Sequence, residues 1–285
     1  MSIPGIYILS KSMLIAQITD PHIKARGKLA YKKVDTETNL QRVVSHVKNL
    51  TPQPDVVLVT GDLTDFGRPE EYELFRSLIE PLDIPFFVIP GNHDTREGMG
   101  QAFSDHHYLP GDGDYLHYAI EDYPLRLIGL DTTVPGRPEG RLCAERLAWL
   151  DGVLKQESNK PTVLFMHHPP IETGIEHMDV QNCHNADALG DLLENHKQVF
   201  QLLCGHVHRP VHTVWRGVTV TIAPSSSHYV ALDLQKGGPA DFTLEPPTVQ
   251  LHQWRNNSEL ISHLSFVGSF DGPHPFFDAA GNLID

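Results

Sequence analysis

The sequence predicts an α/β fold built on a largely parallel sheet, and three observations predict it. Short, continuously apolar runs recur through the first two thirds of the 285 residues. Segments with helical spacing stand between them. Each run ends in Gly, Asp, Asn or His, at what would be the carboxyl end of a strand. Continuous apolar runs of this length read as strands buried on both faces. Open α/β folds bind their ligands beyond such strand ends.

Residues 14–19 form the first predicted strand and lead into Asp20-Pro21-His22. The basic stretch 24–33 has no periodicity and reads equally as a solvated turn or as a flap over the residues it follows. Asp35 or Thr36 caps a helix to about Leu50, with Leu40, Val43, Val44 and Val47 at helical spacing. The run 56–60 ends in Gly61-Asp62. A second helix opens at Arg68-Pro69-Glu70-Glu71, with proline early and acids where the macrodipole favours them. Tyr72, Phe75, Leu78 and Ile79 form its buried face, and Pro81 stops it. Residues 85–90 end in Gly91-Asn92-His93-Asp94, before a short helical segment through Met99 and Phe103.

Stretches 115–120 and 125–131 read as an antiparallel hairpin about Asp122-Tyr123-Pro124. A loop over 136–140 and a helix over 144–154, with Leu147, Leu150 and Leu154 inward, precede the run 162–166, which ends in His167-His168-Pro169-Pro170. The polar stretch 172–185 reads as an ordinary surface loop, near the site because it leaves from His167. A helix over 186–195 leads to the run 199–204 and Gly205-His206-Val207-His208. The remainder is β-rich. Strands are expected over 211–215 and 218–222, joined at Arg216-Gly217, then over 229–234, 248–254 and 260–267, with a loop over 236–247. The last residues, 268–285, carry Phe276 and Phe277 without a period and suit cover for an apolar patch or a partner subunit. No composition shift divides the chain, so one domain over 1–285 is expected.

The formal net charge of -14 argues against non-specific binding to nucleic acid, which needs a basic surface. An acidic chain that handles phosphate must supply positive charge locally, and bound metal does so. Cys143, Cys183 and Cys204 form no Cys-x-x-Cys pair, which points to reduced thiols and a cytoplasmic setting. No apolar run approaches the ~20 residues that a membrane span needs. Residues 1–9 lack the basic start and cleavage site of a signal peptide and read as a short extension.

The strand ends supply Asp20, His22, Asp62, Asn92, His167, His206 and His208, an oxygen-and-nitrogen set without sulfur. Such a set suits Mn, Fe, Zn or Co over a structural thiolate zinc site. It is too large for one tetrahedral ion and fits two ions that share a carboxylate. Two ions roughly 3.5–4 Å apart can clamp the attacking and leaving oxygens at phosphorus and bring the pKa of a bridging water to about neutrality. A lone histidine at a strand end is usually a satisfied polar residue. That reading is taken for His177, His184, His212 and His228, and a structural role for Asp131. It fails for the ordered set, because it needs several independent accidents at equivalent strand ends.

The series Asp20-x-His22, Gly61-Asp62, Gly91-Asn92-His93-Asp94, His167-His168-Pro169-Pro170 and Gly205-His206-x-His208 resembles the calcineurin-like metallophosphoesterase superfamily, in its block order, over residues 14–210. Residues 22–34, Gly67-Arg68-Pro69-Glu70-Glu71-Tyr72 and the His167 block resemble the bacterial branch of glycerophosphodiesterases and class III cyclic-nucleotide phosphodiesterases. The resemblance implies a four-layer α/β/β/α sandwich with mixed sheets and a β-rich C-terminal part over 211–285. It implies that Asp20, His22 and His208 hold one metal, that Asn92, His167 and His206 hold a second, and that Asp62 bridges them. His93 would act as leaving-group acid or electrostatic stabiliser, oriented by Asp94. His168 would support the site or pack, without ligating. Substrate contacts would come from His22, Asp62, Asn92, His93 and His208.

The implied reaction is attack of a metal-bound hydroxide on a 3′,5′-cyclic nucleotide or a glycerophosphodiester. A non-catalytic metal- or nucleotide-binding regulator on the same scaffold is the rival, disfavoured because no block residue is lost. The expected partner is a small-molecule phosphodiester, with no nucleic acid and no membrane, and with a homo-oligomer left open.

Overall fold

The apolar runs fold as strands and the amphipathic segments as helices, in the order the sequence predicts. The first half comprises β1 (Met13–Ile18), α1 (Thr36–Lys48), β2 (Val56–Thr60), α2 (Pro69–Ile79), β3 (Phe86–Ile89), α3 (Arg96–Ala102), β4 (Tyr118–Ile120), β5 (Arg126–Leu130), β6 (Gly140–Arg141) and α4 (Ala144–Gln156). The second half comprises β7 (Thr162–Met166), α5 (Glu176–Asp179), β8 (Cys183–His184), α6 (Ala186–Leu193), β9 (Val199–Cys204), β10 (Val211–Trp215), β11 (Val218–Ile222), β12 (Tyr229–Val230), β13 (Phe242–Thr243), β14 (Thr248–Arg255) and β15 (Glu259–Phe266). The computed structural model describes residues 12–110, 114–255 and 259–285, so the extension expected at 1–9 lies outside the described residues.

Two mixed sheets carry the architecture, in the orders β15-β14-β1-β2-β3 and β10-β11-β9-β7-β5-β4. In the first, β1, β2 and β3 are parallel and the C-terminal pair β14–β15 adds antiparallel to β1. In the second, β5, β7, β9 and β11 are parallel, with β4 and β10 antiparallel at the edges. Because successive strand side chains point to opposite faces, β7 divides its residues between two cores. Val163 and Phe165 pack with the first sheet, while Leu164 and Met166 pack with Leu150 and Leu154 of α4 and Leu189 and Leu193 of α6. Helices α1 and α2 bury Leu40, Val43, Val47, Tyr72 and Phe75 against the first sheet. The four layers α/β/β/α follow.

Local chemistry fixes the helix starts. Asp35 caps α1, its carboxylate accepting from the Thr38 N–H at 3.0 Å. At α2 the buried Glu71 carboxylate accepts from the N–H groups of Phe66 and Arg68 at 2.9 and 3.3 Å. The first turn of α2 thereby anchors the loop that leaves Asp62. The hairpin β10–β11 turns at Arg216 and Gly217, both at positive φ, +51° and +81°, as a two-residue hairpin turn requires.

Four expectations need amendment. Helix α1 stops at Lys48, short of Leu50. The strand expected over 229–234 ends at Val230, because its only partner among the described residues is the two-residue β13 that lies inside the expected loop 236–247. The stretch 172–185 contains α5 and β8, ordered by Asp179, whose carboxylate accepts from the N–H groups of Thr173 and Gly174 at 2.7 and 2.9 Å. Residues 268–285 bury none of their own side chains against an apolar patch of this chain. Each is exposed, including Phe276 and Phe277.

Candidate metal centre

All five turns that carry the predicted residues leave the carboxyl ends of parallel strands. Asp20 and His22 follow β1, Asp62 follows β2, and Asn92 and His93 follow β3. His167 follows β7, and His206 and His208 follow β9. The first sheet therefore contributes the carboxylates, the amide and His22, and the second contributes three histidines. The seam between the sheets closes through direct bonds. His167 Nδ1 lies 2.8 Å from the Thr60 carbonyl oxygen, and the His206 N–H donates to Asp20 Oδ2 at 3.1 Å.

The backbone bends sharply to deliver these groups. Asp20, His22, Asp62, His206 and His208 all adopt positive φ, between +47° and +71°. Left-handed backbone costs a non-glycine residue roughly 1–3 kcal/mol, and such residues gather at active sites and ligand clamps. Two neighbouring glycines permit the close approach. A Cβ at Gly91 would strike the Asp62 carboxylate, and one at Gly205 would strike Thr19 and Asp20.

The donor atoms converge as two groups joined by one carboxylate. In the first, Asp20, His22, Asp62 and His208 bring ligand atoms within 4.8 Å of one another, all buried. His22 Nε2 is 3.1 Å from His208 Nε2, and Asp20 Oδ1 is 3.3 Å from His208 Nε2. In the second, His167 Nε2 lies 3.2 Å from Asn92 Oδ1. Asp62 Oδ2 spans both, 3.5 Å from His22 Nε2 and 3.3 Å from His167 Nε2. Its Oδ1 is occupied separately, accepting the His93 N–H at 2.9 Å.

Orientation comes from the far nitrogens of the rings. His167 Nδ1–H donates to the Thr60 carbonyl and His208 Nδ1–H to the His228 carbonyl at 2.9 Å, an assignment that leaves each Nε2 lone pair facing inward. Asp20 Oδ1 and His206 Nε2 are buried and have no hydrogen-bond partner. Two orphaned donor atoms in a sulfur-free set fit divalent cations, since a buried polar atom without a partner costs about 1–3 kcal/mol.

Electrostatics match this picture. Burial would raise the Asp62 carboxyl, but His167, His93 and His22 hold it well below the usual range. Burial would also raise Asp20, yet His208 and His167 hold it down. Burial pushes His22 down and His206 well down, keeping both neutral. Against burial, Asp62 and Asp20 lift His167 to about 9, so without a cation its Nε2 holds a proton against Asp62, and a bound cation would take that proton's place.

The remaining predicted residues sort plainly. His93 is half-buried beside the cluster, its ring centroid 4.6 Å from that of His22. Asp94, expected to orient His93, has its hydrogen bonds elsewhere. Its carboxylate accepts from the N–H groups of Leu63, Thr64 and Gly91 at 3.0, 3.2 and 3.0 Å, tying the Asp62 turn to the Asn92 turn. The His93 ring is held through Nδ1, 2.8 Å from the carbonyl oxygen of Asp65. His168 has both nitrogens engaged, with Thr132 Oγ1 at 2.7 Å and the Pro138 carbonyl at 3.1 Å, so it packs behind His167 and His206. Asp131 is structural, pairing with Arg96 at 2.6 Å.

Sequence reasoning missed four residues. His228, assigned to the ordinary polar class, is buried with its ring 4.6 Å from His208 and 5.3 Å from His22. The signal was the run Ser225-Ser226-Ser227, whose first two hydroxyls donate to the carbonyls of Asp20 and Thr19 at 2.9 and 3.0 Å. Asp65 lies 3.4 Å from His22 Nδ1, with Lys24 Nζ at 2.8 Å on its other oxygen. Tyr31, from the basic loop, lines the cavity above the cluster, as does His177 from the loop over 172–185. Both loops are therefore cavity walls at these residues, and His177 leaves the ordinary class. His184 and His212 are exposed, as expected.

A family model described as calcineurin-like phosphoesterase matches residues 13–210. The chain is 47% identical, over 96% of its length and 100% of the other's, to a protein of Arcobacter nitrofigilis named "probable glycerophosphodiester phosphodiesterase". It is 32% identical, over 92% of its length and 94% of the other's, to a "probable cyclic nucleotide phosphodiesterase" of Rhodopseudomonas palustris. Its fold resembles that of a dimetal phosphatase from Danio rerio, with a TM-score of 0.59 at 14% identity over 88% of this chain and 98% of that one.

Proposed function

The chain belongs to the calcineurin-like phosphoesterase family and is a metal-dependent phosphodiester hydrolase; from that premise we propose a glycerophosphodiester as its substrate. Members of this family use a binuclear divalent metal centre, and the cluster of buried Asp and His residues is compatible with one. We assign Asp20, His22 and His208 to one ion, Asn92, His167 and His206 to the other, and Asp62 to both. The observation that carries this assignment is the position of Asp62 Oδ2 between His22 Nε2 and His167 Nε2. Fe, Mn, Zn and Co all suit the donor set. When bound, the ions supply a nucleophilic water at neutral pH and offset charge on the non-bridging phosphoryl oxygens.

The chain's own groups supply the rest. His22, Asp62, Asn92, His93 and His208 surround the phosphate. His93 Nδ1–H donates to the Asp65 carbonyl, which leaves Nε2 to carry a proton to the departing alcohol oxygen. Burial opposes that proton, but Asp62 and the Asp65 carbonyl raise the His93 pKa above its ordinary value. As water oxygen bonds to phosphorus and the ester P–O bond breaks, that proton keeps the alcohol from leaving as alkoxide.

The 47% match over the full length of a named glycerophosphodiester phosphodiesterase supports the substrate. A cyclic nucleotide is the second reading, supported by the more distant relative of that name. The partner is a small phosphodiester. We further propose a cytoplasmic setting, on three free cysteines, and neither a nucleic-acid nor a membrane partner. Among the described residues no helix is long and apolar enough to cross a membrane. A substrate panel with metal-reconstituted protein tests the reading. Glycerophosphoethanolamine should be hydrolysed faster than cAMP, and an aryl phosphodiester faster than an aryl phosphomonoester. Hydrolysis of the monoester alone would overturn it.

A further inference from the structure

The three cysteines sit in unlike places. Cys183 and Cys204 are buried, while Cys143 is partly exposed. Cys143 is the N-cap of the 13-residue helix α4, where Ser, Thr, Asp or Asn would bond the first turn. Its sulfur makes no such bond, so it stands uncommitted at a helix end whose partial positive charge favours an anion. Side chains add to that preference. Tyr115 Oη stands 3.6 Å from Cys143 Sγ. The guanidinium groups of Arg146 and Arg96 lie 4.6 and 5.0 Å from the centroid of the Tyr115 ring. Arg96 is engaged by the Asp131 carboxylate at 2.6 Å. Arg146, in the first turn of α4, is 4% exposed, and its Nη1 donates to two neutral acceptors, the carbonyls of Asp131 and Thr133, at 3.0 and 3.1 Å. Its Nε is buried and has no hydrogen-bond partner among the described residues. A buried cation with only neutral acceptors and one unused donor suits an anion beside it. Burial would raise the Cys143 thiol, but the Arg146 N–H, the Tyr115 hydroxyl and the Arg146 guanidinium bring it down to about 7. Glu145, the adjoining acid, is exposed. Burial drives the other two thiols the opposite way, Cys183 to about 12 and Cys204 well above its ordinary value.

We propose that Cys143 is a modification site whose sulfur attacks hydroperoxides and carries the resulting sulfenic acid. A sulfur lone pair forms an S–O bond to the terminal peroxide oxygen as the O–O bond breaks. Sulfur gives up two electrons, and the departing hydroxide or alkoxide leaves with them and takes a proton from water. The sulfenic oxygen offers Arg146 Nε the acceptor it lacks. Return to the thiol needs an external thiol, because Cys183 and Cys204 are buried. The first such thiol condenses with the sulfenic acid, releasing water, and a second displaces Cys143 from the mixed disulfide.

The test uses the full chain reconstituted with zinc, which has no redox chemistry of its own. Iodoacetamide alkylation is followed at each cysteine by peptide mass spectrometry across a series of pH values. Cys143 should alkylate with a midpoint at about pH 7, against ~8.5 for a free cysteine, while Cys183 and Cys204 resist as long as the chain is folded. Equimolar hydrogen peroxide followed by dimedone should label Cys143 alone, and a small thiol added before the dimedone should abolish the label. Tyr115→Phe keeps the ring, removes the hydroxyl and should move the midpoint upward. Arg146→Met should move it further, toward ~8.5. If Arg146→Met does not fold, Tyr115→Phe carries this arm alone. A native midpoint at ~8.5 or above, or a midpoint that no folded variant moves, would overturn the site. So would a dimedone label absent from Cys143 or spread evenly over the three cysteines.

Discussion

At the scale of single residues, the weight falls on Asp62. Its two oxygens do different work: Oδ1 holds the His93 N–H and Oδ2 faces both half-sites. Asp62→Ala should therefore lower bound metal and activity together, read as ions per chain by elemental analysis beside turnover. Full activity with both ions retained would contradict the bridge. His93 stands outside the donor set and should behave differently. His93→Ala should keep its ions and lose about 10²-fold or more in kcat, with the largest loss for poor leaving groups. A metal-poor His93→Ala protein would contradict that role. Asp62 and His93 were legible in sequence because each ends an apolar run inside an ordered block. His228 was not, because its carbonyl serves His208 and its ring packs on His22, long-range contacts that the neighbouring serine run marks only once its hydroxyls are seen to bond Thr19 and Asp20.

Between elements, a buried polar chain crosses the molecule. Ser262 on β15 bonds His252 Nδ1 at 2.7 Å, and His252 Nε2 is 3.0 Å from Gln17 Oε1 on β1. Gln17 Nε2 then donates to Thr60 Oγ1 on β2 at 2.9 Å and to the Cys204 carbonyl on β9, in the opposite sheet, at 3.0 Å. Every hydrogen in this chain is used when His252 is neutral with its proton on Nε2. Burial pushes the His252 pKa down to about 3. Below about pH 6.5 the unfolded chain therefore binds a proton that the folded chain refuses. Stability from this group is complete above that pH and falls by about 1.4 kcal/mol per pH unit as pH drops toward the folded value. His252→Gln keeps a donor and an acceptor but cannot titrate. Urea unfolding of metal-free protein from pH 7 to pH 4 should show a shallower loss for the variant, by about that slope. Equal slopes would show that His252 is not held neutral. The helices α1 and α2 were legible down to their caps, since capping is local. This polar chain was not, because its members lie up to 245 residues apart along the sequence, from Gln17 to Ser262.

For the whole molecule, the matched family segment ends at 210, yet the first sheet is incomplete without β14 and β15. Trp254, 1% exposed, and Val249 enter the same core as β1 and β2. A chain ending at residue 247 would leave the backbone edge of β1 unpaired and that core open, so it should be insoluble or unfolded. Soluble yield and near-ultraviolet circular dichroism would check this, and a folded 1–247 chain would refute it. The α/β class and the five strand-end turns were legible because parallel, doubly buried strands announce themselves as continuous apolar runs. The docking of β14 beside β1 was not, because alternating strands do not name their partners. The same arrangement sets an order of birth. With synthesis at roughly 5–20 residues per second, β14 leaves the ribosome roughly 10–40 s after Asp62. The first carboxylates of the centre are thus among the earliest groups made, and the sheet that fixes them is among the last structures closed.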